Sequence, residues 1–448
     1  MFSLGDLPGD LLTSIFEFVD EEDLPNIAVV NRSFNEAATP FLYRTISYDS
    51  KDRAKTPIST LNENRHLASH VQHFAIESLP SRHGRGHSLD AHHYDVRECV
   101  QILELCNGLR RFRVDSGCST WQIRTFLPVL LRKALLQDVE LLCASVITEQ
   151  DDILTLTSLR NLRRIALKEP SWQLINKLPG WANSLRKSLR SVEITSSDCL
   201  NSEVLEDIIV HLPDLKELKI MSCFKINHDD ILDMTKHTPL LENLNLTVWL
   251  NPGTNQSVNV GDIGHLRYLT LDMKNGSDKT HCTPYWKGFL TGIRKLGSRL
   301  RGLTLHPLRK VIIGVSFVKH IRRTHGSSLS LLELRNVVVS SKVLGAICSN
   351  LSQLEELALT INGSSIVRFA EAFALSSSLR IIRNIPDRTS QSQTTLNNHH
   401  VREIAKLAFS VTIIECQGRK WNIMRNVNKP KDFAILYAAK GTKGTRQI

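Results

Sequence analysis

A short pattern of apolar residues recurs along most of the chain. One apolar residue is followed three positions later by a second and two positions after that by a third, as in Leu215-x-x-Leu218-x-Ile220. The last two alternate with a polar residue, so the pattern predicts a short strand with one buried face. Ten copies begin at Leu109, Leu136, Leu162, Leu189, Leu215, Leu241, Leu266, Leu300, Leu329 and Leu354. A degraded copy begins at Leu379, and an earlier one is indicated at Val71.

The copies are nearly evenly spaced, at intervals of 27, 26, 27, 26, 26, 25, 34, 29, 25 and 25 residues from Leu109 to Leu379. Between the predicted strands the apolar spacing is helical, as in residues 203–212. A lone strand and helix of this size cannot bury its apolar face, whereas stacked neighbours can. The interval of 34 indicates an insertion within residues 272–291, and polar stretches at 81–93 and 387–400 are predicted to be loops.

Residues 7–38 follow a different pattern. Apolar residues at helical spacing predict a first helix, and an acidic run from Glu21 to Asp23 ends it. A second apolar run and a third helical piece follow, closed by Pro40. A bundle of roughly 40 residues is too small to have a self-sufficient core. We therefore expect another molecule to cover part of its apolar surface, with a cap on the first repeat as the alternative.

This segment resembles an F-box, and the repeats resemble leucine-rich repeats. Leu7-Pro8, Asp10-Leu11-Leu12, Ile15-Phe16, Asp23-Leu24, the run from Val29 to Phe34, and Leu42-Tyr43-Arg44 follow the F-box order and spacing. Phe34 stands where Trp is commoner, and Asp10 where Glu is commoner. The copy at Leu215, with Cys223 after its strand, is similar to the cysteine-containing leucine-rich repeats of many F-box proteins.

The resemblance implies an α/β fold. A short three-helix F-box would be followed by a curved leucine-rich-repeat solenoid with parallel strands on its concave face. We expect the F-box at residues 1–48 and a connecting segment with an irregular loop at 49–100. About 10–12 repeats would occupy residues 101–415, and a C-terminal cap and basic tail residues 416–448.

In the F-box family, the box docks on a Skp-type adaptor that links it to a cullin–RING ubiquitin ligase, and the repeats hold a protein substrate. The resemblance implies a receptor without catalytic residues, metal or cofactor. The residues on box positions that form its core or meet the adaptor are Leu7, Pro8, Leu11, Leu12, Ile15, Phe16, Leu24, Val29, Val30 and Phe34. Two alternatives stay open, a leucine-rich scaffold without a ubiquitin role and an enzyme regulator such as a GTPase activator.

Substrate would contact the strand positions that point away from the leucine face. The candidates on the strands are Arg111, Arg113, Arg164, Lys219, Asn243, Asn245 and Tyr268. Arg322 and Arg323 are added from a predicted helix, where they share one face with Lys319. We expect the first part of this strand surface to be basic, and nothing in it resembles a catalytic arrangement.

The net charge is regional. The chain has 56 Lys and Arg against 45 Asp and Glu, yet residues 279–332 contain eleven basic residues and no acidic one. This block is either a site for an acidic or phosphorylated partner or a solvated convex face with cations near a helix C-terminus. Residues 417–448 add eight basic residues against Asp432, and the remainder is net acidic. A nucleic-acid partner is therefore disfavoured.

Other chemistry has little support in the sequence. None of the nine cysteines forms a CxxC pair, and phosphate-binding glycine motifs are absent. His83, His87, His92 and His93 lack a partner at metal-ligand spacing. His281 and Cys282 are adjacent, and adjacent side chains in a loop rarely converge as a nucleophile and its base. No signal sequence or apolar run of about 20 residues occurs, so we expect a membrane-free protein in the cytoplasm, the nucleus or both.

Overall fold

A computed structural model of the chain alternates strands and helices in mixed α/β order. It describes residues 7–21, 23–49, 57–78, 89–115, 118–249, 261–274, 282–386, 395–426, 429–439 and 446–447. These residues fall into two compact units. Unit 1 comprises Met1–Leu215 and Ser222–Lys225, and unit 2 comprises Lys216–Met221 and Ile226–Ile448. Among the helices described, none is both long and apolar enough to cross a bilayer.

Unit 1 begins with three helices and continues with strands and helices in alternation. Its helices are α1 (Gly9–Phe16), α2 (Leu24–Ala28), α3 (Arg32–Leu42), α4 (Ile58–Glu63), α5 (Leu89–Leu105), α6 (Thr120–Leu131), α7 (Gln150–Thr157), α8 (Trp172–Ile175), α9 (Leu178–Ser184) and α10 (Ser202–Ile209). Its strands are β1 (Thr45–Asp49), β2 (His73–Ser78), β3 (Arg111–Val114), β4 (Asp138–Leu141), β5 (Arg164–Lys168) and β6 (Ser191–Thr195).

The six strands of unit 1 form one parallel ladder in chain order. The second apolar position of each copy lies beside its equivalent in the next strand, so that Phe112, Val139, Ile165 and Val192 form a row. These side chains are buried, and the strand residues between them face outward. The alternation of apolar and polar residues thus places one face of the sheet against the helices and leaves the other open.

Unit 2 repeats the same arrangement. Its helices are α11 (His228–Met234), α12 (Cys282–Lys295), α13 (Val315–His325), α14 (Ser341–Asn350), α15 (Ile366–Phe373) and α16 (Asn398–Leu407). Its strands are β7 (Glu217–Met221), β8 (Asn243–Trp249), β9 (Tyr268–Lys274), β10 (Gly302–Pro307), β11 (Val311–Ile312), β12 (Leu331–Leu334), β13 (Val337–Val338), β14 (Glu356–Leu359), β15 (Ile381–Asn384), β16 (Ile413–Cys416), β17 (Arg419–Asn426), β18 (Lys429–Ala439) and β19 (Arg446–Gln447).

The main sheet of unit 2 is parallel until its last strands. Strands β7, β8, β9, β10, β12, β14, β15 and β16 pair in that order, and β11 pairs separately with β13. After β16 the chain reverses, and β17, β18 and β19 add to the edge in antiparallel pairs. Trp421 on β17 is fully buried, and its ring nitrogen donates to the Asn398 side chain at 3.0 Å. A folded hairpin therefore covers this edge of the parallel ladder.

The parallel ladders of the two units contain strands at both indicated extra copies, and each contains one more that was not predicted. Strand β2 follows Val71, and β15 follows Leu379. The unpredicted strands are β1, beside β2, and β16, beside β15. Strand β2 lies in the segment expected to connect the box to the repeats, and it pairs in register with β3.

Two loop predictions are wrong in part. Helix α5 begins at Leu89, inside the predicted loop 81–93, and α16 begins at Asn398, inside the predicted loop 387–400. For α16 the missed signal is Asn397, whose side chain accepts from the His400 backbone N–H at 2.9 Å and caps the helix. Residues 81–88 and 387–394 lie outside the described residues. The predicted insertion at 272–291 overlaps β9 and α12, and its middle part, 275–281, lies outside them as well.

Candidate functional surfaces

The three N-terminal helices enclose a small core of their own. Helix α3 packs against both α1 and α2, and its Asn31 cap accepts from the Phe34 backbone N–H at 2.8 Å. Phe16 meets Phe34 edge to face, with ring centroids 5.4 Å apart. The buried members of this core are Leu12, Phe16, Leu24, Ala28, Ala37 and Ala38. The core uses one face of α1 and leaves the other to solvent.

Five large apolar side chains of the same segment are exposed. Their exposed fractions are 51% for Leu11, 42% for Ile15, 87% for Phe18, 82% for Val29 and 61% for Val30. Leu11, Ile15 and Phe18 are spaced four and three residues apart, so they follow one side of α1 into the turn after it. Exposure of several large apolar side chains within one short segment is typical of a surface that a partner covers. We call these five residues the exposed apolar set.

The ten residues predicted to form the box core or to meet an adaptor divide into three groups by exposure. Leu11, Ile15, Val29 and Val30 belong to the exposed apolar set, and Pro8 is exposed beside them in the sequence. Leu7 and Phe34 are half-buried against the core.

Leu12, Phe16 and Leu24 belong to the core, one of the two roles predicted for the box positions. They are at most 2% exposed, because the domain's own helices cover them. Phe18 was missing from the prediction, although its helical spacing from Leu11 and Ile15 was a signal for it.

On the open face of unit 1, Arg164 is surrounded by carboxylates. Its guanidinium lies 2.8 Å from Glu193 Oε2, 3.3 Å from Glu140 Oε2 and 3.4 Å from Asp138 Oδ1. The acidic residues come from β4 and β6, which flank β5 in the ladder. The positive charge of Arg164 is therefore balanced within the sheet.

The other two predicted arginines of unit 1 are balanced in the same way. Arg111 Nε lies 2.8 Å from Asp138 Oδ2, and Arg113 approaches Glu140 at 3.7 Å and Asp115 at 3.6 Å. Burial raises the pKa of Asp138 above its ordinary value, against the lowering effect of the arginines. The expectation of a basic surface here is wrong, because acidic side chains on neighbouring strands face the arginines.

The open face of unit 2 has an uncharged region around β8 and β9. Asn245 donates its side-chain amide to Asn243 at 2.9 Å, and Asn243 donates to Glu217 at 3.1 Å. Tyr268 is substantially exposed, and its ring lies over Gly302 on the next strand. An exposed ring beside oriented amides offers apolar area and hydrogen bonds at once, which is typical of protein recognition surfaces.

Asp272 and His306 form a partly buried pair beside that region. His306 Nδ1 lies 2.9 Å from Asp272 Oδ1, and Lys274 Nζ lies 3.2 Å from Asp272 Oδ2. Burial alone would raise the pKa of Asp272, but the hydrogen bonds and charges of His306 and Lys274 outweigh it and hold that pKa below its ordinary value. The pair thus keeps a carboxylate ionised beside the Tyr268 region.

Arg322 and Arg323 lie apart from the predicted strand residues of their unit. They are exposed on α13, whose buried side chains include Phe317, Val318 and Ile321. The helices cover the face of the sheet that Lys219, Asn243, Asn245 and Tyr268 do not share. The predicted substrate residues of unit 2 therefore belong to two surfaces.

The described residues contain no group of three or more His, Cys, Asp or Glu side chains placed to hold a metal ion. Cys223 is buried, as expected, and its thiol donates to the Ile194 carbonyl at 3.7 Å. Burial raises the pKa of Cys223 to about 11 and that of Cys348 to about 12, so both remain protonated near neutral pH. His83, His87 and His281 lie outside the described residues, and His92 and His93 lie within α5.

Comparison with known proteins identifies the N-terminal segment. Residues 4–81 match the family model of the COS11 F-box domain. One solved structure with a similar course of the chain is the "Crystal structure of Rad7 and Elc1 complex in yeast", with 14% identity and a TM-score of 0.45. The similarity covers 87% of this chain and 91% of that one. No curated protein matches the chain significantly in sequence. The segment that exposes the apolar set therefore carries an F-box domain similar to that of COS11.

Proposed function

We propose that the protein is the substrate-recognition subunit of a Skp–cullin–F-box ubiquitin ligase. Its F-box would dock on a Skp-type adaptor, and its strand–helix array, interpreted as leucine-rich repeats, would bind a protein substrate. The protein itself would carry out no chemistry and need no cofactor. It would act in the cytoplasm, the nucleus or both.

The observation that carries this proposal is the exposed apolar set within the matched domain. Five large apolar side chains between residues 11 and 30 are exposed, while the core beneath them is closed. Covering them would remove apolar surface from water, which is the main favourable term in most protein associations. We include Phe18 among the adaptor contacts, because aromatic side chains, Phe among them, are enriched at protein interfaces.

For the substrate we favour the uncharged region on the open face of unit 2. This region presents the ring of Tyr268 and the side-chain amides of Asn243 and Asn245, none of which is charged. Arg111, Arg113 and Arg164 are assigned a different role, since their guanidiniums hold carboxylates on neighbouring strands. A substrate that paired with them would have to displace those carboxylates first.

Affinity purification of the full chain tests the proposal. The variant L11D/I15D places two carboxylates in the exposed apolar set without entering the core. L131D/L135D is a matched control, because Leu131 and Leu135 have the same spacing and are 44% and 49% exposed. We expect wild type and control to co-purify with Skp-type adaptor and cullin, and L11D/I15D to lose roughly a hundredfold in adaptor affinity. Equal recovery from all three, or none from the wild type, would favour a scaffold without a ubiquitin role.

A further inference from the structure

Three successive helices of unit 2 contain no acidic residue. They are α12, α13 and α14, and each packs against the next. Other helices of the unit differ, since α11 contains Asp229, Asp230 and Asp233, and α15 contains Glu371. The absence of Asp and Glu residues is therefore confined, within unit 2, to this part of the helix layer. We call the exposed side of these helices the basic helix face.

The basic helix face presents six exposed cations. They are Arg294, Lys295, Lys319, Arg322, Arg323 and Lys342. Within the part of the chain that the structure describes, none of them has a carboxylate within the 4.0 Å of an ion pair. On the open face of the same unit, by contrast, the Arg383 guanidinium contacts both Glu356 and Glu415. The charge of the basic helix face is thus left without local compensation.

Neutral groups orient the two central arginines. Arg322 Nη1 donates to Asn350 Oδ1 at 2.9 Å, and Arg323 Nη2 lies 3.2 Å from His320 Nδ1. His320 Nε2 lies 3.0 Å from the Lys287 carbonyl oxygen, a contact that makes it the donor and leaves Nδ1 free to accept. Burial is the main cause that lowers the pKa of His320; the charges of Arg323 and Lys287 add to it, and together they outweigh the raising effect of the hydrogen bond to the Lys287 carbonyl, so the ring stays neutral at physiological pH. Both guanidiniums are therefore oriented by neutral groups, and no carboxylate neutralises their charge in the described residues.

We propose that the basic helix face docks an acidic segment of a partner protein, a run of Asp and Glu residues in extended form. Neighbouring helix axes lie about 8–10 Å apart, so cations spread over three helices match a row of carboxylates better than one phosphate group. The aromatic residues of these helices, such as Trp286, Phe289 and Phe317, are fully buried and cannot stack on bases. Helices α12, α13 and α14 themselves expose none of the large apolar side chains that insertion into a membrane would require.

This inference is independent of the proposed function. The basic helix face lies on the helix layer of unit 2, and the F-box domain belongs to unit 1. An acidic segment could dock there whether or not the F-box binds an adaptor. In a receptor, this face would hold a substrate or regulator in addition to the open face of the sheet.

Fluorescence anisotropy with the purified full chain tests the inference. The probe is a labelled peptide of ten glutamates, and a peptide of ten glutamines serves as the uncharged reference. The variant R322E/R323E reverses the two oriented arginines. R186E/K187E is the matched control, because Arg186 and Lys187 are also adjacent, exposed and without an ion pair in the described residues. Single-stranded oligonucleotide and vesicles with phosphatidylserine are measured in parallel.

We expect the wild type and R186E/K187E to bind the glutamate peptide equally, with an affinity that falls as salt is added. R322E/R323E should bind it roughly tenfold more weakly. An equal loss in both variants would show that net charge alone attracts the peptide and would overturn the inference. So would undetectable binding at low salt, or stronger binding of the oligonucleotide or the vesicles than of the peptide.

Discussion

Gly302 and Tyr268 show how a single missing side chain shapes the candidate substrate surface. The two residues are paired across β9 and β10, and the ring of Tyr268 occupies the space above Gly302. A Cβ atom at position 302 would lie 2.5 Å from Tyr268 Cδ1, well inside van der Waals contact. The absence of a side chain there lets the exposed ring lie over the next strand.

Gly302→Ala should therefore lower the free energy of unfolding by about 1–2 kcal/mol through steric overlap. In a Tyr268→Ala background the overlap disappears, and the same substitution should be neutral or stabilising by up to about 1 kcal/mol, because alanine restricts the unfolded chain. Urea unfolding of the four proteins gives the coupling between the two sites. An equal loss in both backgrounds would mean that the ring does not occupy this space.

His325 is a buried residue whose protonation state the fold fixes. Its Nε2 lies 3.2 Å from the Leu290 carbonyl oxygen, and its Nδ1 accepts from the Leu300 backbone N–H at 3.4 Å. A proton on Nδ1 would remove that acceptor. Burial, as the main cause, lowers the pKa of His325 to about 4.

Because the folded-state pKa is below that of the unfolded chain, the unfolded state binds the proton first as the pH falls. The stability that the neutral ring contributes is complete above the unfolded pKa of about 6.5 and is lost as the pH falls toward 4, by up to about 3 kcal/mol. His325→Gln cannot titrate, so its unfolding free energy should fall less between pH 7 and 4.5 than that of the wild type. Parallel pH profiles in urea titrations would contradict this assignment.

Along helix α1 and the turn that follows it, some residues stabilise the domain and others are proposed to bind the adaptor. Leu12 and Phe16 face the core, whereas Leu11 and Ile15 face solvent, and Phe18 follows on the exposed side. Neighbouring positions of one helix should therefore respond differently to truncation.

Leu12→Ala should lower the free energy of unfolding by about 2–5 kcal/mol, since it leaves a cavity in a small core. Phe18→Ala should leave stability within about 0.5 kcal/mol of the wild type, as expected for an exposed site, and should weaken adaptor binding. Urea unfolding together with a titration of Skp-type adaptor separates the two effects. A stable Leu12→Ala protein, or a Phe18→Ala protein with full adaptor affinity, would contradict this division of α1.

The strands could be predicted from sequence because their signal is local and repeated. Each copy has apolar residues at the same three positions, and equivalent positions such as Leu218 and Leu244 lie side by side. The balance of charge could not be inferred from single strands. The surface around Arg111 and Arg164 was predicted to be basic. Asp138, which lies between these arginines and contacts both, comes from a copy that was left out of the predicted surface. Helix α16 was missed because polar residues at its start resemble a loop, although Asn397 is a good cap.

At the scale of the whole molecule, three separate surfaces are available to three partners. We propose that the exposed apolar set meets an adaptor, the uncharged region around Tyr268 a substrate, and the basic helix face an acidic segment. The first assignment rests on a domain match and on exposed apolar side chains together. The other two rest on the arrangement of side chains in unit 2. Docking of the F-box is the claim on which the proposed function depends.

Hydrogen exchange of the full chain, with and without an excess of Skp-type adaptor, tests that claim most directly. We predict slower exchange in residues 9–30, which include α1, α2 and the exposed apolar set, and unchanged exchange in β4 of the Arg164 region. L11D/I15D should show no slowing with the adaptor, and L131D/L135D should behave as the wild type. Unchanged exchange in residues 9–30 of the wild type, or equal slowing in L11D/I15D, would contradict the account.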